Sequence, residues 1–385
     1  MGNNFKVAVL PGDGIGREVV PQALRVIQTA EELGSGFSLD VHEFECGGEY
    51  YRKTRREWSE EAEEFTKKEA DVVLLGAVGA NNEDGSPVRR QDGHLAGYSV
   101  VIGLRFELDL YANLRPVKLY EGVPTPLANR THEDIDMIMV RENTEGLYAP
   151  QDNPSRSVGA EEVVDLRKIT KKGSMRVCRF AFEKAATRDG APADKQKRVT
   201  CVDKSNLLAG CQLFRHSFNE VAKLFPGISL DYAYVDAFTQ WIIRNPCHYD
   251  VVVAPNAFGD IITDLGAAIQ GGLGLAPAGS IGDNHAVFEP VHGSAPKYAN
   301  QGVSNPIASI LSGAMLLDWL GSTKNNLGCK AASTLIEESV ADVLREGRFR
   351  TYDLCRDEWD NVDPSSTVEV TNDIIRKMKD VGDNA

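Results

Sequence analysis

Residues 7–20 read "VAVLPGDGIGREVV", an apolar run that ends in a glycine-rich turn and continues as a helix pattern with Val20, Leu24 and Ile27 on one face. The order suggests the phosphate-binding turn of a dinucleotide fold, but the spacing does not fit. That fingerprint needs G-x-G-x-x-G with an acidic residue about twenty positions on, whereas Gly12, Gly14 and Gly16 bring the third glycine one residue early. A tight turn feeding a helix is the simpler account. A dinucleotide bound to this chain would then have its phosphates held elsewhere.

The 385 residues are 42% hydrophobic and 25% charged, which suits a soluble globular protein of about two domains. A net charge of -14 opposes binding to nucleic acid or to an anionic membrane surface, so an anionic ligand must meet a few well-placed Arg and Lys residues. The seven cysteines form no C-x-x-C pair, which favours reduced thiols over zinc or a disulfide framework. No apolar run approaches the roughly 18 residues of a membrane span. The first strand starts about five residues in, leaving no room for a signal peptide. The expected compartment is the cytoplasm.

Apolar, β-branched runs at Lys6–Leu10, Asp71–Val78, Met137–Val140, Arg198–Val202, Leu230–Val235 and Val251–Ala254 alternate with helix-period segments. This predicts a largely parallel α/β sheet. Ala149–Asp165 breaks the rhythm and reads as a linker or as an excursion that packs on a partner subunit. Asn305–Gly321 reads as a buried helix, with Pro306 at its first position and Gly321 just past its end.

Within "FGDIITDLGAA", Asp260 and Asp264 share one helix face. Such a pair is either a solvated acidic face or a seat for a hard divalent cation, and its apolar neighbours Phe258, Ile261, Ile262 and Leu265 favour the second. Asp236 in "VDAFTQW" is an N-cap or a site residue at a strand end. In "CVDKSN", Lys204 is a snorkelling surface residue or a base, and Asn206 lies beside it. Arg105, Arg115 and Arg141, with Tyr148 nearby, are ion-paired singly or together suit a substrate with several carboxylates. "EPVHGSAPKYANQGVSNP" reads as an anion-binding loop ahead of a helix.

In order and spacing, "PGDGIG", "LDLYANLRP", "RENTEGLY", "DKSN", "FGDIITDL" and "EPVHGSAPKYA…NP" resemble the metal-dependent β-decarboxylating dehydrogenases that act on isocitrate, homoisocitrate, isopropylmalate and tartrate or malate. The resemblance covers nearly the whole chain. It implies an α/β sandwich unlike the Rossmann fold, with a mixed, largely parallel sheet. The large cofactor-binding domain would comprise residues 1–112 and 272–385. The small domain would comprise residues 113–271, with a dimer-forming excursion around 149–165.

It also implies a homodimer with shared sites. Arg105, Arg115 and Arg141 would clamp the malate carboxylates, with Ser99 and Asn206 also on the substrate. Asp260, Asp264 and Asp236 would hold Mg2+ or Mn2+, and Asp236 and the catalytic Lys204 would reach across the dimer interface. Tyr148 would be the catalytic tyrosine.

The cofactor would lie along Glu289, His292, Gly293, Ser294, Ala295, Lys297, Tyr298 and Asn305, leaving the "GDGIG" turn structural. Members that use NAD carry Asp in place of Lys297. Here Lys297 and Tyr298, with Tyr352 and Arg356, match the pairs that NADP-dependent isocitrate dehydrogenases direct at the 2′-phosphate, so NADP is expected.

The substrate loop "GHLAGYSVVIGLR" is a hybrid. Ser99 matches the isocitrate enzymes, Val101 replaces their asparagine, and Tyr98, Val101 and Ile102 stand where isopropylmalate enzymes present Glu and two Leu. Isocitrate is the first expectation; isopropylmalate, homoisocitrate or a malate with a longer acidic or phosphonate side chain are the alternatives. A non-catalytic regulatory subunit is the other class to weigh, and it conflicts with the presence of Tyr148, Lys204, Asp236, Asp260 and Asp264.

Overall fold

The structure, a computed structural model, describes residues 3–34, 36–148, 156–157, 161–355 and 363–382. Its strands in chain order are β1 (Asn4–Leu10), β2 (Ser38–Glu43), β3 (Val72–Leu75), β4 (Ala112–Lys118), β5 (Asp136–Glu142), β6 (Arg156–Ser157), β7 (Val163–Val164), β8 (Arg198–Asp203), β9 (Ser229–Tyr234), β10 (Val251–Ala254), β11 (Pro277–Ile281) and β12 (Ala286–Pro290). Ten form one sheet in the order β2-β1-β3-β12-β11-β4-β5-β10-β8-β9, and β6 pairs with β7 alone.

The outer strands run parallel to their neighbours. The junctions β12–β11, β11–β4 and β4–β5 are antiparallel. The sheet is therefore mixed and mostly parallel, as the α/β reading of the sequence expected.

All six apolar runs are strands, but the second ends at Leu75 rather than Val78. There the chain passes tightly over the first turn: a Cβ at Gly76 would lie 2.1 Å from the Pro11 carbonyl oxygen. The central strands β4, β11 and β12 escape an apolar-run reading because Asn113, Arg115, Pro116, Gly279 and Glu289 interrupt them. Along β4, Leu114, Pro116 and Lys118 face one side and Asn113, Arg115 and Val117 the other.

Val117, Met137 and Met139 pack in front against Phe238 and Ile262. Leu114 and Val140 belong behind, in the cluster of Val177, Phe182, Leu311 and Leu316.

The buried helix runs over Ile307–Thr323, so Pro306 precedes its first turn and Gly321 lies inside it. Gly321 serves packing rather than termination, since a Cβ there would stand 2.5 Å from Lys330 Cγ on the following helix.

The turn at Gly12–Gly16 is a structural knot. The Asp13 carboxylate, fully buried, accepts N–H groups from Gly48 at 2.7 Å, Glu49 at 2.8 Å and Gly79 at 2.8 Å. The turn's own amides are spent too: Asp13 N donates to Ala77 O at 2.7 Å and Ile15 N to Ser294 O at 2.9 Å. Gly14 has φ +54°, and a Cβ there would sit 2.0 Å from the Ser294 oxygen.

Removing the Asp13 carboxylate strands three N–H groups, each costing about 1–3 kcal/mol when buried and unpaired. Asp13→Ala is expected to lower stability by roughly 3 kcal/mol or more, read as a fall in the urea midpoint at unchanged slope.

Candidate functional site

The antiparallel pairing of β4 and β5 sets Asn113 opposite Arg141 and Arg115 opposite Met139, so both arginines leave the same face of the sheet. The Asn256–Ile269 helix lies directly on that face. Gly259 permits the approach, since a Cβ there would be 2.7 Å from Arg141 Cγ. Arg141 donates to Asn256 Oδ1 through Nε and Nη2 at 3.1 and 2.8 Å, and to Asp260 through Nη1. Arg115 donates to Asn113 Oδ1 at 2.8 Å, Thr263 Oγ1 at 2.7 Å and Asp264 Oδ1 at 3.1 Å.

The third arginine, Arg105, reaches Glu289 at 3.5 Å. The three guanidiniums are close enough that burial, reinforced by Arg105 and Arg115, pushes the pKa of Arg141 down. Burial likewise lowers Arg115, against the pull of Asp260 and Asp264. Such a cluster gains from each further negative charge brought to it.

Arg105, Arg115, Glu289 and His292 line a cavity of about 180 Å³ together with Val78 and Val101. Tyr148, half-exposed, has its ring centre 5.7 Å from the Arg141 guanidinium. Asp260 and Asp264 remain open to solvent at 38% and 62% side-chain exposure.

Lys204, just past β8, donates to Asp236 Oδ1 at 2.6 Å, and Asp236 opens the Val235–Arg244 helix. The hydrogen bond and charge of Lys204 keep the Asp236 carboxyl below its usual range. Behind them Asp203, fully buried, accepts two bonds from Arg215 at 2.8 and 2.9 Å. Asn206 is exposed in the following turn.

Among the described residues no three carboxylate, imidazole or thiolate side chains converge, so one chain does not gather Asp236 with Asp260 and Asp264. The neighbours of the acidic pair are not all core either: Ile262 is buried, whereas Ile261 is 62% exposed.

The loop after β12 crosses the knot. Ser294 is held by Ile15, and Glu18 accepts from the amides of Asn300 and of Gly302, the latter at 2.9 Å. His292 is half-buried, with its Nε2 buried and unpartnered, and burial lowers its pKa. Gly293 is exposed and Ala295 adopts φ +38°.

Next, Lys297 Nζ lies 5.4 Å from the Tyr298 ring centre, and Tyr298 stacks on Tyr352 at 5.4 Å. Asn305, buried, donates to Asp353 at 3.1 Å and so ties this loop to the segment that carries Tyr352. Two stretches far apart in sequence thus meet in one cationic, phenolic cluster. Arg356 lies outside the described residues.

The isocitrate/isopropylmalate dehydrogenase family matches residues 6–374. This chain belongs to that family. The 3-isopropylmalate dehydrogenase of Thermobifida fusca is 40% identical over 383 residues, covering 98% of each chain. That of Aquifex aeolicus is 36% identical over 382 residues, again 98% of each.

Among solved structures, an isocitrate dehydrogenase from Methylococcus capsulatus aligns with a TM-score of 0.80 at 32% identity, over 97% of this chain and 99% of that one. A β-decarboxylating dehydrogenase from Thermococcus kodakarensis aligns with a TM-score of 0.74 at 34% identity, over 98% and 97%. The family resemblance carried by the six motifs holds over the whole fold.

In this β-decarboxylating dehydrogenase, the substrate loop forms a π-helix over Ser99–Gly103, a form that concentrates at functional sites. Val101 lines the arginine cavity, whereas Ser99 is not among its lining residues. The residue that anchors this turn is Glu57, which the sequence reading passed over. It is buried and accepts from the amides of Gly97 and Ser99 and from Arg90 Nη1 at 3.0 Å. Nothing in the charged run "RREWSEE" marks it, because all its partners lie 33 or more residues away.

Glu57→Ala is expected to cost about 2–4 kcal/mol by stranding two amides and leaving Arg90 with Asp92 alone. It should also speed hydrogen exchange at Gly97 and Ser99, measured by mass spectrometry. His292 gives a pH signature. Its native pKa is below 6.5, so the unfolded chain binds a proton that the native state refuses, and this residue's contribution is lost as pH falls below that value. His292→Gln should therefore flatten the acid side of the stability profile in urea titrations.

Proposed function

We propose that this chain catalyses NADP-dependent, divalent-metal-dependent oxidative decarboxylation of a 3-substituted malate whose 3-substituent is apolar, of the isopropylmalate class. The observation that carries this reading is the 180 Å³ cavity in which Val101 stands beside Arg105 and Arg115. A carboxylate-rich head meets guanidiniums there while the side chain meets a methyl-bearing wall. Relatives named 3-isopropylmalate dehydrogenase favour the same choice. The isocitrate expectation rested on Ser99 and on the NADP set; Val101 at the cavity wall and those relatives favour the apolar alternative.

Asp260 and Asp264 fit a hard cation, being carboxylates that stay 38% and 62% exposed to solvent while they meet the sheet arginines. Lys297, Tyr298 and Tyr352 fit the 2′-phosphate of NADP through an ammonium and two phenols. When bound, these groups polarise the 2-hydroxy acid and accept its hydride.

The chain supplies the rest. Arg105, Arg115 and Arg141 hold the carboxylates, Lys204 takes the 2-hydroxyl proton with Asp236 beside the resulting ammonium, and Tyr148 delivers a proton to C3 once CO2 has left.

A homodimer follows from the same reading, because one chain does not unite Asp236 with Asp260 and Asp264. The exposed Trp241, Ile243 and Ile261 on those two helices supply an apolar face for a second copy. The domain division at residues 112/113 and 271/272, in this reading, runs along the β11–β4 junction. The free thiols suit a cytoplasmic enzyme, and among the described residues no helix is long and apolar enough to cross a membrane.

Initial rates with Mg2+ across isocitrate, homoisocitrate, 3-isopropylmalate, D-malate and 3-(phosphonomethyl)malate test the substrate. The expected leader is 3-isopropylmalate, and faster isocitrate turnover would return the pocket to Ser99. Lys297→Asp should move the NADP/NAD preference by about tenfold or more toward NAD, equivalent to ~1.4 kcal/mol. Co-expressed Asp236→Asn and Asp260→Asn chains, each inactive alone, should regain part of the activity as mixed dimers; no recovery would sink the shared site.

A further inference from the structure

A second cavity, of about 420 Å³, lies behind the arginine site. The alternation of β4 and β5 makes the two back to back: Leu114, Pro116 and Ile138 face the rear cavity, while Arg115 and Arg141 leave the front. The same holds on β12, where Phe288 lines the rear cavity and Glu289 the front one. The rear walls come from the buried Ile307–Thr323 helix, through Leu311, Met315 and Trp319, and from the Lys171–Thr187 and Leu327–Glu346 helices. Its volume is that of a small-ligand pocket.

The polar groups of this cavity are unevenly committed. Lys118 pairs with Glu337 at 2.5 Å. Arg188 pairs with Asp136 at 2.9 Å and with the buried Asp250 at 2.6 Å. The third cation, Lys184, has no hydrogen bond or ion pair among the described residues. Its ammonium stands 5.5 Å from the Phe180 ring centre, and burial lowers its pKa against a distant attraction from Asp318.

A half-buried ammonium without an acceptor among the described residues, set beside an apolar floor, is stabilised by one anionic oxygen brought with an apolar body. The hydroxyls of Thr187, Ser333 and Thr334 at the lining already donate to the carbonyls of Lys184, Ala314 and Lys330, which leaves the Lys184 ammonium as the donor an anionic oxygen would meet.

We propose that this rear cavity is a ligand site for a small apolar monocarboxylate, its carboxylate on Lys184 and its hydrocarbon against Leu311, Met315 and Trp319. A dicarboxylate of the kind suited to the front site fits less well, because Lys118 and Arg188 are already paired. The second charge would meet the apolar floor or the carboxylates of Asp318 and Glu337.

The test is calorimetric titration of the full chain with 4-methylpentanoate and, in parallel, with its neutral amide. The expected result is one site per chain for the acid, weakened tenfold or more in Lys184→Met with the amide unaffected, and loss of binding in Thr334→Trp, which plugs the exposed rim. Thermal melts of each variant without ligand show that it is folded. Absence of heat up to 10-fold above the roughly millimolar range expected for a fragment of this size, or acid binding that survives both substitutions, overturns the proposal. The second outcome assigns the acid to the arginine cavity. Neither readout depends on turnover, so the result stands apart from the dehydrogenase activity.

Discussion

Asp13 is the constraint on which the rest of the site depends. Its carboxylate has no water to lean on and satisfies itself on amides of Gly48, Glu49 and Gly79, each at the start of a segment that leads toward the site. The turn around it then takes up the Ser294 carbonyl, and Glu18 one helical turn later takes the amides of Gly302 and Asn300. A glycine-rich turn that looks made to cradle a phosphate spends its donors on the protein. The loop carrying Lys297 and Tyr298 is positioned by that expenditure.

The front site is a problem in charge balance. Three guanidiniums and the carboxylates of Asp260, Asp264 and Glu289 hold one another at the sheet face, and burial makes the arginines eager for further negative charge. A cation on the carboxylates would free the arginines, and a polycarboxylate would then complete them. Binding of metal and of acid are therefore expected to reinforce each other. Val101 brings no charge to this balance and shapes only the remaining space.

Much of the site was legible in sequence because its chemistry is local in pattern. Asp260 and Asp264 sit one helical turn apart and share Arg115. Lys204 and Asp236 end adjacent strands and find each other. Tyr352 joins Lys297 and Tyr298 as its motif implied. Ser99 left the substrate open, because identity at one loop position says nothing of which residue the π-helix turns into the cavity. Glu57 and Asp13 were invisible as anchors, since a buried carboxylate is defined by amides dozens of residues away.

By itself the sequence determined the family, the six strands of continuous apolar character and the identity of the charged side chains, because periodicity and ordered motifs are written in neighbours. Tertiary structure alone decided the antiparallel centre of the sheet, the buried anchors and the division of β4 and β5 into a charged front and an apolar rear. Strand pairing brings residues such as Arg115 and Gly279 into one sheet across a separation that no local pattern encodes. Which face a side chain takes is settled only when the partner strands are in register.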